Sequence, residues 1–395
     1  MTDQASQSVI VKAAKITDDD VVLIINDTAE WRGWKSVRIT RGIERMPNDF
    51  EVSFTENFPG AAPLVARPGD TCEVAIGHDR VLLGYVNEVA PTITGTAHTI
   101  TLAGRGRCQD LVDCAAHWPG SVITANSVLQ VAQKLCGAHP DLEAKGEAGP
   151  SIGRGSDLIP YLAIMLGETS WEVIDRICKL AGLLAYENAD GNLVIASVPS
   201  SADAASATSI GKRAASGFVE GVNVEQAAAR FSDAGRYRTY TGYWYSFAPL
   251  QDLSGPEVNL IAVEQDGGAR QGRNHVLLAE TGKVGAEENI RKRLKWEATR
   301  RYGQSRQVVI TTDAWRDSAG KLYEPGTTMP LTLPSLHLDS AEWIVSEVTY
   351  RRDAQGTHAD LLLMPLDAFA PQPTLPPQQL PEDLARLEVP SAFKK

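Results

Sequence analysis

The chain has 395 residues, more than a single hydrophobic core usually serves, so we expect two to four domains. Its 38 basic and 49 acidic residues give a net charge of −11, which argues against a surface that binds nucleic acid or anionic lipid as a whole. No apolar run reaches the roughly 20 residues that span a bilayer, and the N-terminus shows no secretory signal, so we expect synthesis in the cytoplasm.

The first hundred residues predict a small β-barrel or sandwich. Short β-branched segments recur between turn signals: VVLIIN, SVRITRG, FEVSFTE, CEVAIG, RVLLGYVNEV and HTITLAGRG. Phe50, Val52 and Phe54 alternate with polar residues and so lie on one face of a strand. We assign residues 8–108 to a first β-barrel domain.

The pattern then changes to an α/β domain, which we place at residues 109–200. Asn126–Cys136 has the apolar spacing of a helix. Thr169 and Glu172 form a capping-box pattern at the start of a second helix that ends at Gly182. Its predicted apolar face consists of Val173, Ile174, Ile177, Leu180 and Ala181. LLAYE and NLVIA, on either side of NADG, predict a hairpin.

An Ala/Ser-rich connector, SSADAASATS, leads into a second β region. We assign residues 201–250 and 304–370 to a second β-barrel domain with the same topology as the first. Residues 251–303 form an insertion, with a helix predicted at about 287–302. Residues 371–395 are proline-rich and favour an extended arm. The predicted fold class is therefore α+β multidomain, with two similar β-barrel-like domains around an α/β middle domain.

The segment GRGRC, from Gly104 to Cys108, is the nearest approach to a phosphate-binding loop. It lacks a third glycine and does not open a βαβ unit, so we interpret it as a turn between two domains. The chain has no Walker A motif and no His-Glu-x-x-His motif.

Cys108, Cys114 and His117 lie close together in the sequence, but a zinc site would need a second pair of ligands, which the spacing does not offer. We therefore predict no metal and no cofactor. The five cysteines are few, odd in number and scattered, which indicates free and mostly buried thiols.

Glu168, Glu172 and Asp175 share a short segment and could in principle be the acid/base pair of a cell-wall glycosidase. Glu172 already has a capping role, and Asp175 is placed as on a solvated helix face. We assign no catalytic residue and predict that the chain is not an enzyme.

The densest basic region belongs to the helix predicted in the insertion: Arg291, Lys292, Arg293, Lys295, Arg300 and Arg301. Ile290, Leu294, Ala298 and Tyr302 recur every four residues on the opposite face. The basic face is either simply solvated or a contact with an acidic partner subunit.

Several segments resemble, in order, the baseplate hub family of Mu-like phages, which is related more distantly to the T4-type tail hub and the front part of VgrG spikes. They are WKSVRITRGIE, GYVNEV, TLAGRGRCQDLVDCAA, ETSWEVIDRICKLAG, KWEATRRYGQS, DAWRDSAGKLYEPGTTMPL, WIVSEVTYRR and LLLMPLDAF. The resemblance covers most of residues 8–370, but about 250–286 match nothing in the family pattern.

This resemblance implies a structural function in the tail baseplate of a virion assembled in the bacterial cytoplasm. It implies a homotrimer on the tail axis that joins a sixfold tail tube to a threefold membrane-puncturing spike. The implied partners are itself, the spike, the tube proteins and other baseplate subunits, with no nucleic acid and no membrane insertion. A secretion-system spike component and a tail-associated cell-wall hydrolase are the alternatives.

Overall fold

A computed structural model of the chain describes residues 18–55, 66–95, 98–123, 126–146, 162–181, 183–197, 210–245, 258–279, 286–365 and 368–369. The predicted connector at 200–209 and the arm at 371–395 lie outside these residues. Within them, no helix is long and apolar enough to cross a membrane.

The first β unit comprises seven strands, which supply alternating buried side chains to one core. They are β1 (Val21–Ile25), β2 (Ala29–Trp31), β3 (Ser36–Gly42), β4 (Asp49–Thr55), β5 (Thr71–Ile76), β6 (Asp79–Ile93) and β7 (His98–Gly106). Phe50 and Val52 are buried as predicted, whereas Phe54 is partly buried against the core edge.

The middle domain packs helices against a small sheet. Its elements are α1 (Gln109–Asp113), β8 (Val122–Ile123), α2 (Val128–Cys136), β9 (Ala144–Gly146), β10 (Leu162–Ala163), α3 (Ser170–Ala181), β11 (Leu184–Glu187) and β12 (Leu193–Ala196). β11 and β12 form the predicted antiparallel hairpin, and β9 adds to β12 in parallel. β8 and β10 pair separately.

Two of the three helices of the middle domain, α2 and α3, begin with capping boxes. In α2, Ser127 and Gln130 satisfy each other's backbone N–H groups. In α3, the Thr169 N–H donates to Glu172 Oε2 at 2.8 Å, and the Glu172 N–H donates to Thr169 Oγ1 at 3.2 Å. The predicted start of α3 is therefore confirmed, and its residues Val173, Ile174 and Ile177 are buried.

The rest of the chain forms a second β unit and an insertion. The elements are β13 (Phe218–Val219), β14 (Gln226–Phe231), β15 (Thr239–Tyr245), β16 (Val258–Gln265), β17 (Asn274–Ala279), α4 (Ala286–Gln304), β18 (Arg306–Thr312), β19 (Thr328–Leu333), β20 (Leu338–Asp353) and β21 (Gly356–Pro365).

The insertion starts earlier than the sequence predicted. β15 pairs only with β16 and β17, in a separate three-stranded sheet, although we had placed residues up to 250 in the second β domain. The alternating aromatic residues of β15 predict a strand but do not indicate which sheet the strand joins. Tyr240 is fully buried against Ile290 and Leu294 of α4, so helix and sheet share a core of their own.

The two β units have the same strand order. When β2 is left out, each unit has six strands, which we number 1 to 6 along the chain. In the sheet they lie in the order 1-4-5-6-3-2, which is β1-β5-β6-β7-β4-β3 in the first unit and β13-β19-β20-β21-β18-β14 in the second. Both also carry a bulge at the same place, between Val86 and Glu88 in β6 and between Val345 and Glu347 in β20. They differ at one pair, because β1 is antiparallel to β5 whereas β13 is parallel to β19.

One pair of strands joins the two units into a common sheet. β3 pairs antiparallel with the second part of β20, with Gly42 opposite Glu347 and Val37 opposite Arg352. The result is one continuous sheet with a shared core, in which Val52 of the first unit and Val308 of the second are both fully buried. That each unit is a closed barrel stays a prediction.

Candidate functional site

The GRGRC segment lies where the first β unit passes into the middle domain, and a buried carboxylate from the hairpin reaches it. The Glu187 carboxylate accepts hydrogen bonds from the backbone N–H groups of Asn48 at 2.8 Å and Cys108 at 2.9 Å. The Asn48 amide donates back to the Glu187 carbonyl oxygen at 3.1 Å. The Asn48 side-chain oxygen accepts from the Gly42 N–H at 3.2 Å. Glu187 thus joins the β3–β4 connection, the start of α1 and the hairpin.

The glycines of the segment make room for this arrangement. A Cβ atom on Gly106 would lie 2.1 Å from Glu187 Oε2, and one on Gly104 would lie 2.4 Å from the Phe50 ring. The interpretation of GRGRC as a turn between two domains agrees with this structure. The role of Glu187 was missed, because its partners lie 79 and 139 residues away in the sequence.

Burial raises the pKa of Glu187 to about 7, although the N–H groups of Cys108 and Asn48 favour its charged form. The adjacent Cys108 thiol is also buried, and burial raises its pKa. A thiol in this state is protonated and unreactive.

The cysteines are free, and four of the five are buried, as predicted; Cys114 is exposed. Cys108 begins α1 and Cys114 ends it, while His117 is exposed beyond the helix. Across the described ranges, no three histidine, cysteine or carboxylate side chains come together in a way that could hold a metal ion.

Each carboxylate that we considered for catalysis has a local structural partner. Glu172 caps α3, as described above. Glu168 forms an ion pair with Arg176 at 2.8 Å and accepts from the Met165 N–H at 3.0 Å. Asp175 pairs with Lys179 one turn along the helix.

The basic helix α4 uses three of its arginines inside the chain. Arg293 and Arg301 both pair with Glu297, at 3.3 and 2.7 Å. Arg300 pairs with Glu44, and its guanidinium stacks on the rings of Trp296 and Phe369. Burial lowers the pKa of Arg300 to about 10. From the sequence we expected a solvated face or a contact with a partner subunit, but these three arginines pair with carboxylates of the same chain, whereas Lys295 is exposed.

A cleft of about 560 Å³ lies between α3, α4 and β11. Its lining includes Trp171, Asp175, Lys179, Arg293, Glu297 and Arg300. Because these charges pair with neighbours in the same walls, the cleft is a polar seam between the middle domain and α4.

Arg316 fastens the second β unit to the start of the first. Its guanidinium donates to Asp79 Oδ2 at 2.7 Å, to Asp19 Oδ1 at 3.3 Å and to the carbonyl oxygens of Asp18, Ile76 and Gly320. Only 16% of its side chain is exposed, so these hydrogen bonds lie mostly buried between the two β units.

Two of the open strand edges in the main sheet, among the described strands, belong to β14 and to the outer part of β6. β14 pairs with β18 on one side only. β6 pairs with β5 up to Tyr85, so its residues Glu88–Ile93 have β7 on one side and no strand on the other. Each edge carries an exposed apolar side chain, Ile93 at 79% and Phe231 at 58%. Open edges of this kind are where another chain can pair.

Family models match three consecutive parts of the chain. Residues 20–106 match the N-terminal domain of the Mu phage baseplate assembly protein GpP-like family. Residues 108–197 match the second domain of the baseplate hub protein gp44-like family, and residues 286–372 match the fourth domain of the GpP family. These boundaries coincide with the first β unit, the middle domain, and α4 followed by the end of the second β unit.

Individual relatives agree with these matches. The baseplate hub protein gp44 of Escherichia phage Mu is 25% identical over 358 residues, which is 89% of each chain. The 43 kDa tail protein of prophage MuSo2 from Shewanella oneidensis has a similar structure, with a TM-score of 0.71, 26% identity and coverage of 89% of this chain and 99% of that one. The tail protein from Neisseria meningitidis MC58 shares the fold, with a TM-score of 0.75, 18% identity and coverage of 90% and 99%.

Two β units with the same strand order and an α/β domain between them in the chain define a β-rich multidomain protein. The three family-model matches follow one another along the chain and identify its family. The chain belongs to the family of Mu-like phage baseplate hub proteins.

Proposed function

We propose that the chain is the structural hub of a contractile phage tail, a homotrimer that joins the sixfold tail tube to the threefold spike. The observation that carries this proposal is the repeated strand order of the two β units. Three chains with two such units each supply six similar units around one axis. One face of the ring can then meet a sixfold tube.

The other face keeps threefold symmetry, because the middle domain and the insertion occur only once per chain. A closed ring of one kind of subunit needs heterologous contacts, so each chain must carry two different complementary surfaces. The open edges of β14 and of the outer part of β6 are available for this purpose. Charge complementarity between stacked rings would set their register more than their affinity.

The solution mass and a low-resolution image test the proposal. We expect a trimer with a central opening, six β units at similar radius and about 60° between neighbours, as sixfold geometry requires. A permanent interface of this kind buries on the order of 2,000 Å² or more. The measurement should be repeated with the spike protein present, since trimerisation can depend on that partner.

A monomer at high micromolar concentration, with and without the spike, would contradict the proposal. Units at clearly different radii or heights would contradict the adaptor role even in a trimer. Turnover of peptidoglycan by the purified chain would instead favour a cell-wall hydrolase.

A further inference from the structure

The repeated strand order allows residues of the two β units to be matched one by one. The residue that follows each bulge starts a row of facing residues across the neighbouring strands. In the first unit this row is Glu88, Ala103, Glu51 and Arg38. In the second unit it is Glu347, Leu362, Val309 and Ala228. Glu88 on β6 therefore corresponds to Glu347 on β20, and Arg38 on β3 corresponds to Ala228 on β14.

This correspondence extends to the joint between the units. In the chain, Glu347–Arg352 of β20 pairs with Val37–Gly42 of β3, and Arg351 lies opposite Arg38. The matching pieces are Glu88–Ile93 of β6 and residues 227–232 on β14 and just beyond it. Both are the open edges described above. Each β unit thus has one edge at the position of β3 and one at the position of the outer part of β20. Within the chain, only the pair between β3 and β20 is formed.

We infer that β14 of one chain pairs antiparallel with Glu88–Ile93 of β6 in a second copy, in the register of the β3–β20 joint. This inference rests on the proposed trimer and names its interface. Thr92 then lies opposite Ala228, Ala90 opposite Arg230, and Val89 opposite Phe231. The two exposed apolar side chains, Ile93 and Phe231, are both covered by the new pair.

The internal joint shows which positions face each other in this register. Thr40 and Thr349, which correspond to Arg230 and Ala90, face each other with their hydroxyl oxygens 3.2 Å apart. One position is weaker, because Pro91 takes the place of Tyr350 and has no N–H to donate. A proline on an open edge also limits pairing with unrelated strands.

The pairing is head-to-tail, as a closed ring requires. Internal joints between β3 and β20 alternate with joints between copies, in which β14 meets β6. Three chains have three of each kind. The six joints then repeat one strand contact around the axis.

A disulfide across the proposed joint tests the register in the full chain. The exposed native thiol is removed by Cys114→Ser, and Thr92→Cys is combined with Ala228→Cys. Both positions are exposed, and facing residues in an antiparallel pair have Cβ atoms close enough for a disulfide. We expect oxidation to link chains into a ladder that ends at three.

Two controls use the same background. Thr92→Cys with Ala227→Cys moves the second thiol to the other face of β14, so we expect little linkage. A mixture of a chain with only Thr92→Cys added and a chain with only Ala228→Cys added should give linked pairs of unlike chains and nothing larger. Circular dichroism melts check that every variant is folded.

The outcomes separate the interface from the proposed function. A trimer by mass that forms no Thr92–Ala228 link, or links equally well through Ala227, overturns the pairing and leaves the hub trimer intact. A link within a single chain also overturns it. A chain that stays monomeric with the spike present overturns both.

Discussion

At the scale of single residues, Glu187 is a buried carboxylate at the junction of three segments. Its carboxylate is held by two backbone N–H groups, yet burial raises its pKa to about 7. The folded chain therefore binds more protons at this site than the unfolded chain between about pH 4.5 and 7. The free energy of unfolding must fall as the pH rises through this window, because the charge is costly in the folded state.

Glu187→Gln tests this dependence. The difference between an ordinary glutamate pKa and one of about 7 corresponds to about 3 kcal/mol. We expect the wild-type chain to lose up to that amount relative to the variant between pH 5 and 8, measured by urea unfolding across the range. Glu172→Gln is the matched control, because glutamine still completes the capping box. Parallel pH curves for wild type and Glu187→Gln would contradict the prediction.

At the scale of elements, α3 depends on its buried face and not on its acidic face. Ile177 is 1% exposed in the core of the middle domain. We expect Ile177→Ala to lower the free energy of unfolding by about 2–5 kcal/mol, because it leaves a cavity. Asp175→Asn is the control on the same helix and should cost less than about 0.5 kcal/mol, in line with other partly exposed ion pairs. A folded Asp175→Asn variant that no longer supports infectious particles would reopen the enzymatic hypothesis.

The Arg316 contact is the second feature at this scale. One guanidinium there serves acceptors on three segments that are distant in the sequence. We expect Arg316→Ala to cost about 1.5–3 kcal/mol and to speed amide hydrogen exchange in β1 and β5. Arg213→Ala removes an ion pair whose arginine is 61% exposed, so it should change neither quantity. Equal effects of the two substitutions would show that Arg316 does not fasten the units.

At the scale of the whole molecule, the β units share one core and one sheet. We expect them to unfold in a single transition. Val52→Ala in the first unit and Val308→Ala in the second should shift the same calorimetric peak to lower temperature, since each leaves a cavity in the shared core. Two peaks, each moved by only one of the substitutions, would contradict this expectation.

The sequence predicted what depends on neighbouring residues. The capping box and the apolar face of α3, the β11–β12 hairpin and the length of α4 follow from spacings within a few turns. It could not predict contacts between distant segments. The sheet joined by β15, the burial of Glu187 beside Cys108 and the pairing of Arg300 with Glu44 depend on tertiary packing, which local patterns do not encode.

The joint between β3 and β20 has a consequence for how assembly responds to dilution. Two strands in one polypeptide meet at an effective concentration on the order of millimolar, whatever the amount of protein in the cell. In the proposed ring of six units, half of the contacts are then formed as each chain folds, and two encounters between molecules bring the three chains together. Six separate single-unit proteins would need five encounters. Fusion of two units in one chain thus makes the proposed ring less sensitive to dilution than a ring of six separate units.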